Sequence, residues 1–464
     1  MVFDQMRPDY IDRYNLKNFK SLRAKSSNYV NGYVGHMASV TVVSHAVMTT
    51  GLLPKDLPWH DDVMTDRKAH IGKAGLNYAT TDLTTDEYLK MLSTISKEQF
   101  LSVQLKKLGG DVVSVGEKSY ATIVMGGPYA DRIVTLKKEN GVCRPDGKNL
   151  PEYVSKNDRF TLQCKEKYGT EASLYALDGH HYYPGEDSAH LGGDIWTADA
   201  ALQVMSKENW RGLFLTFGAI DKAGHMNGEE DVKMPRSYQG PFDLESACKI
   251  ADAQLGRILE ALKTNGLSDR TLVVITADHG GQSDTTYLGN GNTAAIGRFE
   301  HDRAEEPSFW LKRLQATGEI HIAVADTGLR VWLKDASESN EKKVVESAKE
   351  ISGVTRIVAR PKGAKTYSEV FKNFSKLPEQ FVKWANLHDL ELAETMNSET
   401  GPDVIVYFKD GVGFDRIGDH GGAQENVQRI PMLIYDPSQA NGQQIQKPTR
   451  LADLKSIILS KIKK

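Results

Sequence analysis

The sequence predicts an α/β protein whose mainly parallel central sheet is covered on both faces by helices, a three-layer sandwich. Three observations carry that expectation. Strand-like apolar runs alternate with helix-like periodic segments along the chain, the pattern of parallel strands joined by crossover helices. At 464 residues, 40% hydrophobic and 26% charged, the chain is long enough for a large core plus a smaller unit, with a length prior of roughly three units. Two copies of Asp-His-Gly-Gly, at 278–281 and 419–422, each follow an apolar run, and open α/β sheets build their sites at such carboxyl ends.

The elements follow in order. Val2 and Phe3 ahead of Asp4 make a short first strand, which predicts a late or trimmed start. Pro8 suits the first turn of a helix through Tyr10, Ile11 and Tyr14, and Val42 to Met48 reads as a helix stopped by Gly51. Further strands are expected at Asp111 to Val115, Gly212 to Phe217, Thr271 to Ala277, Asp403 to Phe408 and Ile430 to Tyr435, and helices at Asp194 to Lys207 and Asp243 to Lys263. Residues from about 119 to 190, rich in Gly, Tyr, Lys and Asp, have weak periodicity and predict a loop-rich insertion. Leu329 to Leu333 and Thr355 to Val358 bracket a helix at Asn340 to Ile351, a compact strand-helix-strand unit. The expected division is a catalytic core over 1–299, an inserted α/β module over 300–402 and completion of the core over 403–464.

Composition excludes several classes. A net charge of -3 without a basic block argues against a nucleic-acid polymer as partner, and no apolar stretch is long enough to span a membrane. No secretory signal fits ahead of Asp4, so localisation stays open, with a periplasmic or secreted site favoured if a signal was removed upstream. Cys143, Cys164 and Cys248 form no Cys-x-x-Cys pair, which argues against a thiolate zinc site; Cys143 and Cys164 could pair in an oxidising compartment, and Cys248 reads as a buried structural thiol. Nothing in the sequence bears on oligomeric state.

The chemistry-bearing residues are hard or borderline metal ligands. Asp221 and His225 in Phe217-Gly-Ala-Ile-Asp-Lys-Ala-Gly-His225 are expected on a loop past a strand, as are Asp278 and His279. With Asp4 and His420 they make three Asp and three His, a set without cysteine that favours two catalytic divalent ions, zinc above others, over structural zinc. Thr41, in Ser39-Val-Thr-Val-Val-Ser-His45, is the candidate nucleophile: a hydroxyl at a helix N-terminus sees the positive dipole end and free N–H groups. Taken singly, a threonine there is usually only an N-cap and an Asp-His-Gly usually only a turn; the joint pattern is what argues for a site. His36, His45, His60, His180, His181 and His190 have no partner spacing and read as core or surface histidines.

In order, Phe3-Asp-Gln-Met-Arg-Pro-Asp-Tyr10, Thr41 to His45 with Thr50-Gly51, Asp221-x-x-Gly-His225, Asp278-His279-Gly280 and His420-Gly421 resemble the type I phosphodiesterase and nucleotide pyrophosphatase branch of the alkaline phosphatase superfamily. The resemblance implies an alkaline-phosphatase-like sandwich with a small inserted cap, and a phosphate-ester hydrolase acting on a small molecule through a phospho-threonine intermediate. It implies one ion held by Asp221, His225 and His420 and a second held by Asp4, Asp278 and His279, roughly 4 Å apart, with Thr41 beside the second. Asp419 is left as a supporting acid.

Two departures bear on substrate. The family's nucleophile motif often ends Pro-Asn-His, whereas this chain has Val43-Ser44-His45, so Ser44 is expected to replace an amide donor weakly. Monoester-specific relatives often carry Lys-x-Arg after a strand; here Lys118 is kept and Tyr120 stands in the Arg place, which removes a bidentate phosphate donor and leans toward diesters. A phosphomonoesterase or phosphonate hydrolase is the alternative on the same scaffold. A phosphomutase is disfavoured by the threonine. A sulfatase is excluded because Cys143-Arg-Pro-Asp-Gly147 lacks the final Arg of Cys-x-Pro-x-Arg and lies far from Asp4.

Overall fold

A computed structural model describes residues 1–464 except 68, 73, 140–141, 164–188, 228–243, 290–307, 415–417, 440 and 463–464. Cys164, His180 and His181 lie outside the described residues; Cys143 is disulfide-bonded and Cys248 is a buried free thiol.

A ten-stranded sheet forms the middle layer. From one edge its order is Gln443–Ile445, Ser27–Tyr29, Met432–Tyr435, Val273–Thr276, Val2–Phe3, Trp210–Phe217, Asp111–Gly116, Arg132–Glu139, Val142–Asp146 and Leu162–Gln163. The five strands from Val273–Thr276 to Arg132–Glu139 run parallel, as the crossover pattern predicts. The two-residue strand Val2–Phe3 is central, pairing Phe3 with Phe217 and Val2 with both Thr216 and Thr276. It is short but well anchored: Phe3 is fully buried and stacks on Phe217 at 4.8 Å, and burying a side chain of that size contributes about 1.5–3 kcal/mol.

Helices cover the sheet. In Leu244–Thr264, Ala247, Cys248, Ala251, Leu255, Ile258 and Leu262 are buried at three- and four-residue spacing, the stripe of an amphipathic helix. Thr41–Thr50 is buried along its whole length and ends at Gly51, whose φ of 74° is the left-handed stop anticipated from the glycine.

Two expectations change. Residues 119–163 are not loop-rich: helix Ser119–Gly126 and three strands that extend the central sheet lie there, while the rest of the expected insertion, 164–188, lies outside the described residues. The small unit is a five-stranded antiparallel sheet in the order Ile320–Ala325, Gly328–Leu333, Val404–Phe408, Val354–Ala359, Ser368–Lys372. Its middle strand, Val404–Phe408, carries the unit beyond the 402 boundary. A fully buried apolar strand reads alike in either sheet, so only its pairing tells the two apart.

Candidate metal centre and active site

Because the central strands are parallel and in register, their carboxyl ends emerge side by side. Asp278 lies two residues past Thr276, Asp4 follows Phe3 directly, and Lys118 lies two residues past Gly116. Asp221 and His225 sit on helix Ala219–Asn227 rather than on a loop. Their four-residue spacing puts both on one helix face, and Gly224 between them masked the helical signal. The Asp194 carboxylate accepts from the Ala219 N–H at the start of this helix. His420 comes from the second Asp-His-Gly-Gly copy, which is not at the end of a central strand. Gly418–Asp419 pairs antiparallel with Gln282–Ser283, so the second copy is zipped onto the segment leaving the first.

The six ligand candidates and Thr41 are all buried and converge. Asp221 Oδ1, His225 Nε2 and His420 Nε2 form a triangle with sides of 3.2, 3.3 and 3.5 Å. His279 Nε2 lies 3.4 Å from Asp4 Oδ1, 3.4 Å from Asp278 Oδ2 and 3.3 Å from Thr41 Oγ1. Metal–ligand bonds of about 2.0–2.2 Å in a tetrahedron separate the ligand atoms by about 3.3–3.6 Å, and both sets fall close to the spacing of a tetrahedral divalent-cation site. Asp4 Oδ1, Asp278 Oδ2 and Asp221 Oδ1 are buried oxygens without a hydrogen-bond donor, which a protein interior tolerates only where a cation or proton satisfies them.

The histidine tautomers are set from behind. Each ring's Nδ1 faces a backbone carbonyl, that of His225 facing Gly418 at 2.7 Å, of His279 facing Gly280 at 3.0 Å and of His420 facing Ser39 at 3.0 Å. Donation from Nδ1 leaves each Nε2 as a free lone pair. Overlapping donor groups also join Asp221 with His279 and His420, and Asp419 with His225 and His420. Since His225 Nδ1 already donates to Gly418, Asp419, 3.6 Å from that nitrogen, supports the ring from behind.

Lys118 is the residue whose importance the sequence understated. Its ammonium lies 2.5 Å from Asp4 Oδ2, 2.8 Å from Asp221 Oδ2 and 3.2 Å from Thr41 Oγ1. Asp4 and Asp221 thus divide their oxygens, Oδ2 to the lysine and Oδ1 to the ligand sets. Burial would lower the lysine's pKa, but Asp221 and Asp4 hold it well above its ordinary value. Burial pushes Asp4 well up, with Asp221 and Asp278 adding to it, and pushes Asp278 up to about 6. Burial would raise Asp221 as well, but His225 and Lys118 hold it well below the usual carboxylate range. Burial holds His420 well below its ordinary value, with His279 adding to it, and lowers His279. Three buried carboxylates around one ammonium leave an excess of negative charge that divalent cations would balance.

Thr41 is the first residue of its helix, and the N-cap position belongs to Val40, which offers no side-chain acceptor. The threonine is therefore not a cap, and the first-turn amides are left for an anionic ligand. His45, read from the sequence as an ordinary core residue, has Nδ1 2.8 Å from the Thr41 carbonyl and 3.5 Å from Asp278 Oδ2. Its position four residues along the helix from Thr41 was the available signal. Ser44, expected at the substrate, is fully buried with Oγ 3.3 Å from His36 Nε2. Tyr120 sits beside Lys118, its ring centroid 5.4 Å from the ammonium.

Residues 1–414 match the family model for type I phosphodiesterase / nucleotide pyrophosphatase. No curated protein matches the sequence. Among solved structures, the fold resembles wild-type alkaline phosphatase PafA, with 17% identity, TM-score 0.64 and coverage of 100% of this chain and 94% of that one. Murine ectonucleotide pyrophosphatase / phosphodiesterase 5 aligns at 12% identity and TM-score 0.56, covering 99% and 93%. Phosphonoacetate hydrolase from Sinorhizobium meliloti 1021 aligns at 13% identity and TM-score 0.54, covering 99% and 94%. Matched over most of its length and built on an alkaline-phosphatase-like sandwich, the chain belongs to the type I phosphodiesterase / nucleotide pyrophosphatase family, a family of phosphoric ester hydrolases.

Proposed function

We propose that this protein is a two-metal phosphodiesterase of small-molecule phosphate esters, with zinc at both sites and Thr41 as nucleophile. The observation that carries the reading is the fourfold set Asp4 Oδ1, Asp278 Oδ2, His279 Nε2 and Thr41 Oγ1, with the hydroxyl 3.3 Å from the same imidazole nitrogen that faces both carboxylates. Asp4, Asp278 and His279 hold one ion and Asp221, His225 and His420 the other. Bound there, the ions would supply Lewis-acid charge favouring the threonine alkoxide and opposing the negative charge of the reacting phosphoryl group.

The chain's own groups do the rest. The uncapped amides at the start of Thr41–Thr50 orient the phosphoryl oxygens, and the Lys118 ammonium donates to Thr41 Oγ1, favouring its deprotonated form. Thr41 Oγ attacks phosphorus as one ester oxygen departs with a proton as an alcohol, leaving a phospho-threonine that keeps the second ester group; water then cleaves the Oγ–P bond, releasing the phosphate monoester and restoring the hydroxyl. A structure of murine ectonucleotide pyrophosphatase / phosphodiesterase 5 made inactive by one threonine-to-alanine change holds AMP, in keeping with a threonine nucleophile in this fold. Tyr120, neutral where a guanidinium would add charge, favours diesters. The ammonium of Lys118 beside Thr41 favours a second reading, a phosphomonoesterase or phosphonate hydrolase.

The test is turnover of bis-aryl phosphate, mono-aryl phosphate and an alkyl phosphonate by chelator-stripped enzyme before and after zinc addition. Diester turnover that appears only with two equivalents of zinc is expected. Zinc-independent turnover would sink the metal mechanism, and a strong monoester or phosphonate preference would sink the diester assignment.

A further inference from the structure

Arg330 is a fully buried guanidinium in strand Gly328–Leu333 of the small five-stranded unit, flanked by the buried Leu329 and Val331. Burying a cation there is tolerable only if every donor finds an acceptor. Nε and Nη2 bond the two oxygens of Asp61 at 2.6 and 2.8 Å, and Nη1 and Nη2 bond the two oxygens of Asp326 at 2.6 and 2.8 Å. Nη1 also bonds the carbonyl of Gly421 at 2.8 Å and that of Gly328 at 3.1 Å. Asp61 belongs to the core and Asp326 to the small unit, so the guanidinium joins the two. The Gly421 carbonyl lies on the residue next to His420.

The same loop is held at further points. Thr327 N–H donates to the His420 carbonyl at 3.3 Å, and Gly421 adopts φ +94° with its α-carbon against Asp326, where a Cβ would approach Oδ2 to 2.1 Å. From the core side, His420 Nδ1 meets the Ser39 carbonyl and Ser39 Oγ donates to the Gly422 carbonyl at 3.0 Å. The His420 imidazole is thus aimed by the core through its Nδ1, while its backbone is pinned by the small unit through Arg330, Asp326 and Thr327.

We infer that Arg330 is a positioning residue for His420, and that the small unit thereby sets cation affinity at the Asp221–His225–His420 set; this rests on the metal reading above. Lysine at 330 keeps the charge and loses both bidentate forks together with the Gly421 contact. Arg356 is the comparator: it is buried in the same unit, bonds Asp389 at 2.8 Å and the Ala385 carbonyl at 2.7 Å, and among the described residues makes no hydrogen bond to the His420 loop.

The experiment titrates wild type, Arg330→Lys, Arg356→Lys and His420→Ala with zinc against a competing chelator, with folding followed by near-ultraviolet circular dichroism. The zinc equivalent abolished in His420→Ala identifies the site. Expected is an affinity loss of about tenfold or more at that equivalent in Arg330→Lys, with the other equivalent and both equivalents of Arg356→Lys at wild-type affinity. Wild-type affinity at both equivalents of a folded Arg330→Lys would overturn the inference, as would the same loss in Arg356→Lys. If Arg330→Lys does not fold, Asp326→Asn, which leaves the Asp61–Arg330 fork in place, is judged by the same two outcomes. A wild-type enzyme with no His420-dependent equivalent would overturn the metal reading and this inference with it.

Discussion

The ammonium of Lys118 stands 3.2 Å from the hydroxyl of Thr41 while bonding one oxygen each of Asp4 and Asp221. One side chain thereby touches the proposed nucleophile and a candidate ligand from each set. Replacing it by methionine keeps the volume and removes the charge. The expected result is a fall in kcat on the order of 10²-fold, the size of losing one donor aimed at developing negative charge, with zinc content retained. Unchanged kcat in a zinc-loaded Lys118→Met would reduce the lysine to a counter-ion for the acids.

Thr41 is the first helical residue and caps nothing, so Thr41→Ala is expected to fold and bind zinc normally. Its kcat/KM should drop by on the order of 10³-fold or more, while Thr41→Ser keeps a primary hydroxyl and a measurable fraction of activity. A labelled phospho-enzyme trapped by acid quench from wild type and absent from Thr41→Ala would locate the covalent step; a label that persists in the alanine variant would place it elsewhere.

Tyr120 lies beside Lys118 in the position where a guanidinium would add a bidentate donor. Tyr120→Arg is expected to raise the ratio of monoester to diester kcat/KM by about tenfold or more, chiefly through a lower monoester KM. A ratio that does not move would remove this residue from the account of specificity.

Glu341, in helix Glu338–Ala348, is pushed up from its ordinary 4.5 to about 7, first by burial and then by Asp403 and Glu338. The folded state therefore binds a proton that the unfolded chain has released between those values. Its contribution is fully present below about 4.5 and is lost as pH rises through about 7. Glu341→Gln is neutral throughout, so its urea midpoint should gain on wild type between pH 5 and pH 8. Parallel pH profiles of the two proteins would contradict the shift.

The sequence by itself determined the α/β class, the carboxyl-end placement of Asp4 and Asp278, the stop at Gly51 and the residue types of the six candidate ligands, because each rests on local pattern: apolar runs, periodicity and residue chemistry. Tertiary structure alone decided where the others belong. Asp221 and His225 share a helix face that Gly224 obscures, and His420 follows directly on the two-residue strand Gly418–Asp419, which pairs with Gln282–Ser283. Val404–Phe408 joins the small sheet although its apolar run suits either sheet. Lys118, ordinary as a lone lysine after a strand, becomes central because parallel register sets Gly116 level with Thr216 and Thr216 level with Val2, so the carboxyl ends of Asp111–Gly116 and Val2–Phe3 flank that of Trp210–Phe217. Ligand identity is written in residue type, but the distances between ligands are set by pairing between strands hundreds of residues apart, which local periodicity does not encode.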